Sequence, residues 1–199
     1  MKRTRTPFIV VVSAPSGSGK TTVVSRLLEG VEGMVRSVSY TTREPRSGEE
    51  GGKDYIFVTQ SEFLERKNSG DFLECEENFG ERYGTSRQQV EQALAGGKDV
   101  VLTIDVKGAR AVKKLYPESV SVFIMPPSEK ELVGRLLGRK SDDDEQVRIR
   151  IREAKNEIAA ADDYDYMIIN DDLDRAVVEL KTIIAQERTN REKIKKEVK

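Results

Sequence analysis

The chain has 199 residues, enough for one well-packed core with small insertions, and its 34 basic and 35 acidic side chains nearly cancel. That balance gives no electrostatic reason to expect nucleic acid as a partner. Histidine is absent, which removes imidazole-based hydrolysis, and a single cysteine, Cys75, excludes an internal disulfide and fits a cytoplasmic setting.

The basic start, residues 1–6, leads into a short β-like run, so no signal peptide is expected. No segment is long and apolar enough to span a bilayer, and no membrane partner is expected. The strand-like run 8–12 passes directly into Ser13-Ala14-Pro15-Ser16-Gly17-Ser18-Gly19-Lys20-Thr21, and a helical pattern begins at Thr22. This is a phosphate-binding loop in its expected context. Backbone N–H groups turn inward on a polyphosphate, the helix adds its positive end, Lys20 reaches the terminal phosphates and the Thr21 hydroxyl can ligate Mg2+. Ala14 stands where the pattern has its first glycine.

Residues 37–97 then break the α/β rhythm and read as an inserted α+β subdomain, with β-like pieces at 54–58 and 71–76 and helices at 61–68 and 86–95. The second helix opens on a capping box, Ser86-Arg87-Gln88-Gln89. Arg43 and Arg46 lie on a loop with tyrosines, Tyr40 before them and Tyr55 and Tyr83 after. They can clamp a phosphate or merely solvate a surface. Glu74 can accept from the N1–H and 2-amino groups of guanine, but strand alternation leaves its facing open.

Strand-like runs follow at 99–105, 120–125 and 166–169. The first ends in Asp105, which either helps hold magnesium and its waters or simply caps the next turn. A capping box at Ser128–Glu131 opens a helix, and the polar stretch 138–145 has the makings of a lid. The lid region is rich in arginine, with Arg135, Arg139, Arg148 and Arg150; positioned arginines stabilise phosphoryl transfer, though helix arginines also serve only to solubilise. The last helix sets Leu173, Ala176, Val177, Leu180, Ile183 and Ile184 on one face. Strands alternating with helices predict an α/β fold, a parallel sheet covered on both faces, with ligands at the C-terminal strand ends.

Taken together these motifs resemble the guanylate kinases over nearly the whole chain. The resemblance rests on the phosphate loop, on Ser39-x-Thr41-Thr42-Arg43-x-Pro45-Arg46-x-Gly48-Glu49, and on Gly52-x-Asp54-Tyr55-x-Phe57-Val58. It continues through Phe72-x-Glu74, Tyr83-Gly84-Thr85, Asp105-x-x-Gly108, Pro126-Pro127-Ser128, Arg135-Leu136-x-Gly138-Arg139 and Asn170-Asp171-Asp172. It implies a P-loop NTPase core (1–36, 98–127, 156–199), a GMP-binding subdomain (37–97) and a helical lid (128–155).

The resemblance further implies phosphoryl transfer from MgATP to GMP, and also to dGMP. ATP would be held by Ala14, Pro15, Ser16, Gly17, Ser18, Gly19, Lys20, Thr21 and Thr22, with Asn170 near the adenine. GMP would be held by Ser39, Arg43, Arg46, Tyr55, Glu74, Tyr83, Thr85 and Asp105. Thr21 and Asp105 would hold the metal, while Lys20, Arg43, Arg135, Arg139 and Arg150 serve the transferred group. Thr103 and Lys107 depart from the acidic residue and glutamine common at their places. The alternatives are a non-catalytic interaction module of the same fold, at odds with the intact Lys20-Thr21, and a related kinase with another acceptor.

Overall fold

The computed structural model describes residues 5–78, 80–137 and 144–197. The chain opens with β1 (Ile9–Ser13), α1 (Lys20–Gly30) and β2 (Met34–Arg36). An insertion then supplies β3 (Tyr40–Thr41), β4 (Ile56–Phe57), α2 (Gln60–Asn68), β5 (Phe72–Asn78) and β6 (Glu81–Ser86). The chain returns through α3 (Arg87–Ala95) to β7 (Asp99–Thr103), α4 (Val106–Leu115) and β8 (Val120–Met125). It ends with α5 (Glu129–Leu137), α6 (Asp144–Ala159), β9 (Tyr166–Ile169) and α7 (Leu173–Glu197).

Five strands form one sheet in the order β2-β7-β1-β8-β9, and every pairing in it is parallel. The central strand β1 is buried along its whole length, which explains its unbroken apolar run. Val10 and Val12 face one layer, packing with Leu27 of α1 and Ala176, Leu180 and Ile184 of α7. Ile9 and Val11 face the other, with Val90 of α3 and Val112 of α4. The predicted apolar face of the last helix is therefore the lining of one layer.

The insertion builds a second sheet, β4-β3-β6-β5. The helix α3, inside the segment read as 37–97, packs on the core through Val90, with Ala93 and Leu94 beside it. It serves as the crossover between the parallel strands β2 and β7. Leu73 of β5 joins the same cluster, so one strand of the inserted sheet is seated on the core. Local signals were partly redirected. Ser86 Oγ accepts from Gln89 N at 3.3 Å, but the Gln89 carboxamide turns to Val38 N instead of closing the expected box. A reciprocal box forms at Thr59 and Glu62, opening α2. The strand expected at 54–58 shortens to Ile56–Phe57, while β5 runs on to Asn78.

At the end of the sheet remote from the phosphate loop, Asp99 is fully buried. Both its oxygens accept from Arg5 at 2.6 Å, one accepts from Arg188 Nε at 2.9 Å, and the other from Phe8 N at 3.2 Å. Arg191 also lies over the Phe8 ring, 4.4 Å from its centre. This cluster ties the start of β1 and the body of α7 to the start of β7.

Candidate functional site

The phosphate loop hangs between the buried end of β1 and the first turn of α1. Gly17 and Gly19 have φ of 89° and 84°, a left-handed backbone that glycine adopts freely. Gly19 is the N-cap of α1, with no side-chain cap and no acidic residue in the first turn. The helix thus presents open N–H groups and its positive end to the cleft. Asn170, at the end of β9, braces the loop from behind. Its Nδ2 donates to Ser18 O at 2.7 Å, and a Cβ on Gly19 would lie 2.6 Å from that nitrogen. Asn170 is buried and its amide nitrogen is occupied in this brace.

In front of the loop lies a cleft of about 870 Å3 between the core and the inserted sheet. Ala14, Pro15, Ser16, Gly17, Gly19, Lys20, Thr21 and Thr22 line one side, and Ser39, Arg43, Arg46, Tyr55, Glu74 and Tyr83 line the other. Asp105 and Arg150 sit between them. Most of the expected residues therefore meet in one space. Ser18 and Thr85 are buried behind the walls. Arg135 is elsewhere: its guanidinium pairs with Glu131 at 3.3 Å on the same helix. Arg139 lies outside the described residues.

At the donor end, burial pushes the Lys20 ammonium below its ordinary pKa, and the negative charges of Glu157 and Asp105 oppose that shift. Its Nζ donates to Ile104 O at 3.4 Å. From α6, Arg150 Nη1 reaches Ser16 Oγ at 3.4 Å. Glu153 and Glu157 follow on the same helix face and also line the cleft. Burial raises the Glu157 carboxyl to about 7, against the pull of Lys20.

At the acceptor end, Glu74 is buried, and its facing has a local cause. The pairing of β5 with β6 shifts register between Phe72 and Glu74, a bulge that breaks simple alternation. Phe72, Leu73 and Glu74 are consequently all buried. The Thr85 hydroxyl donates to Glu74 Oε1. Burial raises this carboxyl to about 7, the Thr85 bond working the other way. Gly108, in the first turn of α4, lies directly beneath: a Cβ there would be 2.8 Å from Glu74 Oε2.

Asp105 does cap α4, accepting from Gly108 N at 2.8 Å, yet its second oxygen faces the cleft side and accepts from Asn78 Nδ2 at 3.1 Å. The two readings of Asp105 are compatible. Arg43 is held by Glu49 at 2.9 and 3.0 Å, donates to Glu44 O, and lies 5.4 Å from the Tyr55 ring centre. Burial alone would lower the Arg43 pKa, but the Glu49 carboxylate raises it. Glu49 also accepts from Arg46 N at 2.8 Å, so one carboxylate sets both arginines.

Sequence reasoning missed Arg36, Asn78, Glu153 and Glu157, all of which line the cleft. The spacing 150, 153, 157 on one helix face was the available signal for the two glutamates. Thr103 lines the cleft, whereas Lys107 is exposed and acts on Glu153. The cleft holds more carboxylates than cations: Lys20, Arg36, Arg43, Arg46 and Arg150 face Glu49, Asp54, Glu74, Glu76, Glu81, Asp105, Glu153 and Glu157.

The family model described as guanylate kinase matches residues 5–187. A guanylate kinase of Hahella chejuensis is 48% identical over 180 residues, covering 90% of this chain and 86% of its own. One of Wolbachia pipientis wMel is 48% identical over 188 residues, 94% of each chain. The crystal structure of the guanylate kinase from Anaplasma phagocytophilum superposes with a TM-score of 0.79 at 37% identity, covering 92% of this chain and 87% of that one. With a phosphate loop, a two-arginine loop and a buried glutamate opening on one cleft, the chain belongs to the guanylate kinase family.

Proposed function

We propose that the cleft performs ATP:GMP phosphoryl transfer with the donor held by the phosphate loop and the acceptor by the inserted sheet. The observation that carries this reading is that Lys20 and Glu74, on separate elements, open on the same cleft. The loop amides, the N-terminus of α1 and Lys20 take the β- and γ-phosphates of ATP. Glu74, fixed by Thr85 and Gly108, accepts from the guanine N1–H and 2-amino groups, and Ser39 and Asp105 line the same cleft. The Arg43 and Arg46 guanidiniums, with the Tyr55 and Tyr83 hydroxyls, take the GMP phosphate.

Magnesium fits the donors present. The Thr21 hydroxyl and the Asp105 carboxylate are hard oxygens facing one space, and no group of three or more metal-binding side chains occurs among the described residues. That sparse set suits an ion that keeps several waters and binds chiefly to substrate phosphates. When bound, it neutralises charge on the β- and γ-oxygens.

The attacking atom is a GMP phosphate oxygen, already largely ionised at neutral pH because its second pKa is about 6. No general base is needed, which suits a chain without histidine. Catalysis comes from alignment and charge neutralisation by Lys20, Arg43 and Arg150. Arg135 and Arg139 are assigned to the same transferred group by the family resemblance alone. Asn170 acts by fixing the loop. No helix of the described residues is long and apolar enough to cross a membrane; the single cysteine is what supports a reducing, cytoplasmic setting for the enzyme.

A coupled assay of ADP release with GMP, dGMP, AMP, CMP and UMP tests the reading. Turnover with GMP and, more weakly, dGMP is expected, with the others near background. Absence of GMP-dependent turnover with magnesium and ATP refutes the enzymatic reading, and preference for another base refutes the Glu74 assignment.

A further inference from the structure

Arg36 is the last residue of β2 and the point where the chain leaves the core for the inserted sheet. Its backbone is held in the parallel ladder opposite Val101, so its Cα is fixed to the core. Its side chain crosses to the insertion, where Nη2 donates to Asp54 O at 2.6 Å. Asp54 immediately precedes Tyr55, and both line the cleft. The Arg36 Nε is buried with no hydrogen-bond partner. Because Arg36 also lines the cleft, a ligand bound there can supply the missing acceptor.

Its surroundings say where that ligand sits. Arg36 lines the cleft together with Lys20, Arg43, Arg46 and Tyr55, and its charge acts on both Lys20 and the Tyr55 hydroxyl. Arg36 thus shares one space with the donor lysine and the acceptor clamp. Glu49 holds Arg43, whereas no carboxylate pairs with Arg36 among the described ion pairs.

We propose that Arg36 is a positioning residue for the acceptor nucleotide: it locks the Asp54–Tyr55 strand entry to the core and directs a guanidinium at the phosphate held by Arg43 and Arg46. This rests on the acceptor reading above. It adds a contact from the core to a phosphate clamp otherwise built from the insertion, so acceptor phosphate binding draws the two parts together.

The test compares wild type, Arg36→Met and Arg36→Lys by steady-state kinetics, by calorimetric GMP affinity at 50 and 300 mM salt, and by thermal melting. Arg36→Met is expected to raise the KM for GMP about tenfold, the loss of one charge-assisted contact, with the KM for ATP changed less than twofold. Its GMP affinity should depend less on salt, because one phosphate-facing charge is gone. Arg36→Lys should recover the salt dependence but only part of the affinity, since an ammonium cannot reproduce the fork. An unchanged GMP affinity in Arg36→Met, equal losses for ATP and GMP, or a lower melting point with unaltered salt dependence each overturns the proposal. Wild-type protein inactive with GMP would instead fail the acceptor reading itself, so the two failures are distinguishable.

Discussion

Glu74 shows how one buried side chain couples recognition to protons. Desolvation holds its carboxyl near 7, so the folded protein keeps a proton that the unfolded chain loses near the ordinary glutamate value of about 4.5. Between those values a rising pH ionises the unfolded chain first, so ligand-free stability falls across this window. On the proposed reading guanine would reverse the preference, because its two donors require the charged form. GMP binding near pH 6.5 should therefore release protons, and the KM for GMP should climb as pH drops below 7. Glu74→Gln should flatten both trends and raise the KM for GMP on the order of tenfold or more. Titrating GMP in buffers of different ionisation enthalpy measures the proton release directly. The phosphate of GMP titrates nearby, but it does so equally in both proteins, so the difference isolates Glu74.

The elements that hold these residues differ in how legible they were. The β1–loop–α1 unit was readable to within two residues because each signal is local: apolar strand, glycine-rich loop, Lys-Thr, helix. The same holds for the apolar face of α7. The facing of Glu74 was not readable, because a bulge cancels the period-2 rule at that point. Gly108 was visible only as part of a motif, and its reason is a contact between α4 and β5 that no local pattern encodes. Arg36 was passed over because it stands as one arginine in a short strand. Gly108→Ala makes the contact testable. Alanine in a helix interior ordinarily stabilises by about 0.5–1 kcal/mol, but here the methyl must displace the Glu74 carboxylate. The KM for GMP should rise on the order of tenfold while the KM for ATP holds. Unaltered GMP kinetics in this variant would mean that the carboxylate is not held where guanine needs it.

Across the whole molecule, the parts that stabilise and the parts that react lie at opposite ends of the parallel sheet. Asp99 and its arginines fasten the start of β1, the start of β7 and α7 at one end, and the cleft opens at the other. Removing one partner of a buried ion cluster costs about 3–5 kcal/mol. Asp99→Asn should therefore lower the melting temperature by roughly 10 °C, at ~2–4 °C per kcal/mol. Both KM values should stay within about twofold below the transition. A shift in either KM would show that strain at the Asp99 cluster travels along β7 to Asp105.

The excess of carboxylates in the cleft has a consequence for life among crowded small anions. A pocket lined only by lysine and arginine would fill with any sulfate, orthophosphate or stray diphosphate that passed. Here such a guest gains from Lys20 and the arginines but is repelled by Glu49, Asp105, Glu153 and their neighbours. Only a visitor that also brings cationic or hydrogen-donating groups turns that repulsion into attraction. On the proposed reading guanine would offer donors to Glu74, and the magnesium carried by ATP would offer positive charge to the acids around Lys20. The acids would thus weigh against abundant simple anions and in favour of the two substrates.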